Sequence, residues 1–369
     1  MKIAVYAISK NEGKFVERFC NSATGADYII IADTGSDDNT VEEALRCGAT
    51  VHNIAIKPWR FETARNAALA LVPSDVDICV SIDIDEILVD GWREIVEDAW
   101  KPGTTRLSYL YDWGNGLQFT TSKIHQRWGY LWNYPCHEYV EPDGRTVEQY
   151  AFTEKLLVQH LPDPTKSRGS YMEVLTAAVK ENPDNARNQF YYARELTFNA
   201  RWEEAEALYR KILSWKEKYS WNELDYCRRK LAECLSNLER TGEAQTILRE
   251  ACALTPGIRE PWIDLADFCM KHKLWVECQY AARQSLIINH REPVYTAEAY
   301  CWGSKPYDLL ALSSFYMGDY DLALKMGQQA LTLDPDNERL KGNMSFYLNP
   351  PTAEAPEKTE KKETLLFKS

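Results

Sequence analysis

The 369-residue chain has no apolar run of about 18 residues, the length a helix needs to cross a bilayer, and Met1 to Ser9 are too short and too lightly charged for a secretory leader. A soluble, cytoplasmic protein is expected. It also lacks a surplus of positive charge. Lysine and arginine number 43 against 55 aspartate and glutamate, a net charge of -12, which gives no general grip on nucleic-acid backbones or anionic membranes. None of its ten cysteines forms a Cys-x-x-Cys pair, and most interrupt apolar runs, so they are expected to be reduced, buried thiols. What is present suits ordinary cores: 45% of residues are hydrophobic, and the length fits two or three domains. The charge is uneven, with 15 basic and 24 acidic residues over 1–160 but 28 and 31 over 161–369. The two parts read as different objects.

Residues 1 to about 165 alternate β-rich runs with helical patterns: Ile3 to Ile8, Glu12 to Cys20, Tyr28 to Ala32, Val41 to Cys47, Arg60 to Leu71 and Ile78 to Ile82. This alternation predicts an α/β, Rossmann-like domain with a mostly parallel sheet, whose ligand site lies beyond the carboxyl ends of the strands. The loops at those ends are polar: Lys10-Asn11-Glu12, Asp33 to Asp37, and Asp83-Ile84-Asp85-Glu86.

From Lys166 the pattern becomes amphipathic helices in which small residues recur twelve positions apart, as Ala193 with Ala205, Ala232 with Ala244, Ala266 with Cys278, and Ala311 with Ala323. Ala251 with Pro256 and Ala330 with Pro335 fall in the same register, and the pattern resembles the tetratricopeptide repeat. An all-α solenoid over 166–349 is expected, with an insertion around Arg291 to Lys305 and a half repeat at Tyr171 to Pro183 capping the array. Such arrays leave a concave face, and the sequence leaves open whether that face holds a peptide or protein partner or serves as a rigid arm for self-association. The stretch 350–369 mixes proline, lysine, glutamate and threonine without period and is expected to be a disordered tail.

Asp83 and Asp85, two carboxylates one residue apart after an apolar strand, point to one side and can share a divalent cation that bridges a diphosphate. Read alone, Asp33 to Thr40 is equally a turn followed by a helix cap, and Arg65 a surface ion pair. The aromatic segment Tyr109 to Pro162 suits sugar stacking or a small core alike.

The ordered set Lys10-Asn11-Glu12, Asp33 to Thr40, Phe61 to Asn66 and Asp83 to Glu86 resembles a family 2 glycosyltransferase of GT-A fold over residues 1–165. The appended repeats make the layout similar to that of bacteriocin S-glycosyltransferases. The resemblance implies inverting transfer of a sugar from a nucleotide-sugar, usually a uridine diphosphate sugar, with Mn²⁺ or Mg²⁺ as cofactor. It implies that Asn11, Glu12, Asp33 and Arg65 contact the nucleotide, Asp83 the ribose or a metal-bound water, and Asp85 the metal. His160 matches a late histidine brought to the metal, with His137 as the alternative. Cys136-His137-Glu138 resembles a recurring element of these enzymes, and an inverting transfer needs a carboxylate base, so Glu138 is nominated with Asp112 second. Lys166 and Arg168 are candidates to hold the diphosphate. The acceptor is a glycan or protein, with a modified nucleobase as a further option.

Two other readings stand beside this one: an inactive adaptor whose repeats bind a protein partner, and a nucleotidyl transferase, for which Lys10-Asn11-Glu12-Gly13-Lys14 only faintly echoes a phosphate loop.

Overall fold

The alternating runs of the first third become β1 (Ile3–Ser9), α1 (Gly13–Ser22), β2 (Tyr28–Asp33), α2 (Thr40–Arg46), β3 (Thr50–Asn53), α3 (Phe61–Ala70) and β4 (Ile78–Ser81) in the computed structural model, which describes residues 1–114, 116–163 and 171–351. Next come β5 (Glu86–Leu88), α4 (Trp92–Ala99), β6 (Arg106–Gly114), β7 (Leu117–Gln126), β8 (Tyr130–Asn133), β9 (Tyr139–Pro142) and β10 (Tyr150–His160). Eight of these strands form one sheet in the order β3-β2-β1-β4-β7-β6-β10-β5, while β8 and β9 pair as a separate ribbon.

The sheet is mixed rather than mostly parallel. Strands β3, β2, β1 and β4 run parallel, as does β6 with β10, but β7 is antiparallel to β4 and β6, and β5 to β10. The physical cause lies at Gly114 and Gly116, whose positive φ values of 94° and 70° turn the chain tightly between β6 and β7. A turn that short permits only an antiparallel pair.

Side chains alternate across β1. Ile3, Val5 and Ala7 enter one buried layer with Val16, Phe19, Trp92 and Val96, while Ala4 and Tyr6 enter the opposite layer with Ala68, Tyr130 and Trp132. The second layer is pinned by polar contacts: Trp132 Nε1 donates to the Tyr6 hydroxyl (2.8 Å), which lies 3.0 Å from His125 Nε2. Burial pushes the His125 ring down to about 4, so it is neutral. His125 Nδ1 sits 2.7 Å from the Gln126 carbonyl and donates to it, leaving Nε2 to accept from Tyr6.

The remaining described helices are α5 (Tyr171–Glu181), α6 (Ala186–Phe198), α7 (Trp202–Ser214), α8 (Trp221–Asn237), α9 (Thr241–Leu254), α10 (Arg259–Lys271), α11 (Trp275–Ile287), α12 (Lys305–Tyr316), α13 (Tyr320–Leu333) and α14 (Glu338–Leu348). The chain forms two compact units, Met1–Leu196 with Pro293–Tyr295, and Thr197–Glu292 with the chain from Thr296 on. The division thus falls at Leu196 instead of 165. Aromatic and ionic contacts hold α5 and most of α6 to the first unit: Phe61 packs edge-on against Tyr171, and Arg60 pairs with Glu181 (2.7 Å).

In the second unit α8 packs on α9, α10 on α11, and α12 on α13. The seven small residues of the repeating pattern that fall in this unit, from Ala205 to Ala323, are all buried, at 0 or 1% exposure, and Ala193 is buried in the first unit. The insertion folds over this array: Tyr300 donates to Asp264 (2.7 Å), and Arg229 reaches the Thr296 carbonyl (3.3 Å). Among the described residues no helix is long and apolar enough to cross a membrane. The tail expected over 350–369 lies, from 352 on, outside the described residues.

Candidate active site at the carboxyl ends of the strands

Two loops interlock where β1 and β2 end. Asp33 is buried, and its carboxylate accepts from the Ser9 hydroxyl (2.9 Å), the Ser36 hydroxyl (2.5 Å) and the backbone N–H groups of Gly35 and Ser36 (2.9 Å each). Burial opposes its charge, but these donors outweigh it and hold the carboxyl below its ordinary value. Asn11 occupies the left-handed region (φ 55°); its N–H donates to Ser36 Oγ and its Oδ1 accepts from the Asp37 N–H, both at 2.9 Å. The Glu12 N–H donates to Thr40 Oγ1 (2.8 Å). Asp33 therefore shapes the loop, with Asn11 and Glu12 stitched against it.

Beyond β4 the carboxylates and cations interlace. Arg65, buried on α3, donates from Nε to Glu138 Oε1 (2.5 Å) and from one terminal nitrogen to Asp83 Oδ1 (2.6 Å), with its guanidinium 4.8 Å from the centre of the Trp132 ring. Its other terminal nitrogen is buried with no hydrogen-bond partner among the described residues. Lys123 of β7 reaches Asp83 Oδ2 (3.3 Å) and Glu86 Oε1 (3.1 Å). The Asp83 N–H donates to Glu86 Oε2, and Tyr111 donates to Glu86 Oε1 (2.7 Å). Burial works against the charge of Asp83, but Arg65 and Lys123 outweigh it and hold the carboxyl well below the carboxylate range. Burial raises Glu86, with Lys123 pulling it back only in part. Arg65 thus joins the candidate base Glu138 to the first carboxylate of the Asp83-x-Asp85 pair.

Asp85 and His160 are 75 positions apart in sequence, yet pairing of β5 with β10 brings Asp85 Oδ2 within 3.4 Å of His160 Nε2. The His160 ring lies 4.5 Å from that of Trp113, and its Nδ1 is buried without a hydrogen-bond partner among the described residues. Asp83 does not join them. Its oxygens face Arg65 and Lys123, and among the described residues no group of three or more His, Cys, Asp or Glu side chains is placed to hold a metal. The Asp85 carboxylate is of the ligand type that suits Mn²⁺ or Mg²⁺, whereas the imidazole of His160 is a ligand more usual for zinc, copper or iron.

The other expected residues lie elsewhere. Asp112 spends its carboxylate locally, accepting the Gly114 N–H (2.9 Å). The His137 ring stacks on Tyr191 at 3.9 Å and its carbonyl accepts from Arg187, which places it in the packing of α6 rather than beside Asp85. Lys166 and Arg168 lie outside the described residues. Lys123, Glu86 and Tyr111 complete the cluster without having been singled out from sequence. Glu86 stood in the quoted motif, whereas Lys123 carries no local signal in an alternating strand.

The comparison that bears on the helical part is with family models: residues 304–337 match the tetratricopeptide repeat. The second unit carries tetratricopeptide-like repeats. Solved structures similar to the chain include a thermophilic TPR protein from Thermus thermophilus (17% identity, 49% of this chain and 91% of that one, TM-score 0.36). Others are YrrB, a TPR protein described as having an unusual peptide-binding site (16%, 47% and 81%, 0.37), and a MamA fragment from Desulfovibrio magneticus RS-1 (16%, 44% and 84%, 0.37). No curated protein matches the sequence.

Proposed function

We propose that the first unit is an inverting glycosyltransferase of GT-A type that moves a sugar from a nucleoside diphosphate sugar to an acceptor. The observation that carries this reading is the convergence of Asp83, Arg65 and Glu138, and beside them Asp85 and His160, beyond the ends of β4 and β10. Ligands of open α/β sheets sit in such places.

Asp85 and His160 are the residues that would hold a divalent cation, which when bound neutralises the diphosphate leaving group. Arg65 holds Asp83 and Glu138 side by side and keeps Asp83 ionised, and its nitrogen without a partner among the described residues offers a donor to a ligand oxygen. Glu138, gripped at Oε1, presents Oε2 to the acceptor and takes its proton. The acceptor heteroatom bonds to the anomeric carbon from the face opposite the leaving group, the bond to the diphosphate breaks, and its electron pair departs on the nucleotide. Inversion follows from that direction of attack.

The test is a thermal-shift panel of uridine, guanosine and thymidine diphosphates and their sugars, with and without Mn²⁺, on the wild type and Asp85→Ala. A ligand at one hundred times its Kd stabilises by about 2.7 kcal/mol. The expected result is a metal-dependent rise in Tm that Asp85→Ala abolishes without lowering the Tm of the free protein. If no nucleotide shifts the Tm, the enzyme reading falls and an adaptor built on the repeats replaces it.

A further inference from the structure

Sharing α3 and the β8–β9 loop with this cluster is an open cavity of about 370 Å³, within the range of roughly 300 to 1,000 Å³ usual for small-molecule sites. One wall is the β8–β9 ribbon and the start of its loop, with Asn133, Tyr134, Pro135 and Glu141; the other is the end of α5 with Ala178, the turn into α6 with Asn182 and Asn185, and the first turn of α6 with Asn188. Arg60, at the N-terminus of α3, closes one side with Glu181. Glu138 lies in the loop joining β8 to β9, and the Phe61 N–H of α3 donates to the Pro135 carbonyl of that loop (3.1 Å). The cavity and the Arg65 cluster thus share α3 and one loop.

The chemistry of the lining is selective. Arg60 is spent on Glu62 (2.6 Å) and Glu181 (2.7 Å), so with Glu141 the lining carries a net negative charge that opposes phosphates and other anions. Glu141 is held by the Asn133 amide (2.9 Å) and the Tyr134 hydroxyl (3.4 Å), and a carboxylate keeps further lone pairs to accept with. Asn188 is 5% exposed, its N–H already donates to Asn185 Oδ1, and its own Oδ1 is buried with no partner among the described residues. A buried acceptor left open is costly unless a donor arrives. The lining is therefore mostly amide and carboxylate groups that together both donate and accept, with Tyr134, Pro135 and Ala178 as its apolar surface, and it is hostile to negative charge. A neutral polyol, whose hydroxyls on adjacent carbons each donate and accept and whose ring face can lie on Tyr134, matches the set.

We propose that this cavity binds a neutral saccharide and is the subsite for the acceptor sugar, which makes the acceptor a glycan. The acceptor role rests on the glycosyltransferase reading; sugar binding as such does not. A saccharide seated here lies at the loop that carries Glu138, the residue that would take the proton of its attacking hydroxyl.

Saturation-transfer NMR on the full chain tests it, with glucose, galactose, N-acetylglucosamine, maltose and cellobiose as probes, with and without uridine diphosphate and Mn²⁺. At least one sugar is expected to give difference signals, with affinity reduced tenfold or more in Asn188→Ala, which removes the open acceptor. Asn182→Trp, at an exposed position, should fill the cavity and do the same, leaving the nucleotide-induced rise in Tm intact. The site is overturned if no sugar binds under either condition, or if a folded Asn182→Trp protein binds sugar as tightly as the wild type. Nucleotide binding with no sugar bound rejects the cavity and leaves the glycosyltransferase standing. Sugar binding sensitive to Asn182→Trp, with no nucleotide bound, keeps the saccharide site and rejects its role as acceptor subsite.

Discussion

Among the described residues Lys123 and Arg65 are the cations paired with Asp83, Glu86 and Glu138, and removing Lys123 leaves Glu86, or removing Arg65 leaves Glu138, without its counter-charge. Breaking a buried pair by deleting one partner costs about 3–5 kcal/mol. For Lys123→Met the penalty depends on pH in a definite direction. Glu86 is raised above its ordinary 4.5 by burial first, and Lys123 opposes that rise. Without Lys123 the folded-state value climbs further, so the variant gains stability from a protonated Glu86 at low pH and loses it as pH rises through the folded value. Urea unfolding is expected to show the variant destabilised by about 3 kcal/mol at pH 8 and clearly less at pH 5; an equal deficit at both would show that Glu86 does not respond to Lys123. At this scale Asp83, Asp85 and Arg65 were legible because charged groups stood at the edges of apolar runs. Lys123 was not, because only the shifted pairing between Leu107 and Tyr109 in the β6–β7 register decides how far along the sheet it sits.

Strands β1, β2 and β4 and helices α1 to α3 lie within a residue or two of where hydrophobic period and turn residues put them, since each is specified by its own side chains. The sheet from β6 to β10 was not legible, because its mixed directions depend on a glycine turn and on pairing between distant segments. The approach of Asp85 to His160 rests on that pairing, so a site residue can be legible when its neighbour is not. In the helical array the small residues marked the pairs, yet Gly327 of α13 was not singled out. A Cβ there would lie 2.6 Å from a ring carbon of the buried Tyr347 and 3.0 Å from Met344 Sδ, so the glycine is what lets α14 dock. Alanine gains about 1 kcal/mol of helix propensity but meets an overpacking cost of about 1–3 kcal/mol. Gly327→Ala is expected to lower stability by about 1 kcal/mol on that balance, with faster amide exchange confined mainly to Leu340 to Tyr347. A rise in Tm, as propensity alone would give, would show that α14 does not need the gap.

The chain as a whole holds two kinds of core, one layered on a sheet and one propagated between neighbouring helices, and its cysteines report on both. All ten are thiols rather than disulfides; Cys47 is partly exposed and the other nine are buried. Burial pushes Cys20, Cys79, Cys234 and Cys278 up to about 12, so each is protonated and inert in the native state. A thiol reagent at pH 8 is therefore expected to modify one cysteine quickly, Cys47, and the rest only when the chain opens. Cys20, Cys79 and Cys136 belong to the first unit, and Cys227, Cys234, Cys252, Cys269, Cys278 and Cys301 to the second. Repeats stabilise one another through nearest-neighbour contacts, whereas the strands of the sheet depend on partners far away in sequence, so the two cores respond differently to denaturant. Pulsed labelling across a urea series, read by intact mass, should show two steps, one of three thiols and one of six. A single step in which all nine appear together would show that the two units unfold as one cooperative body.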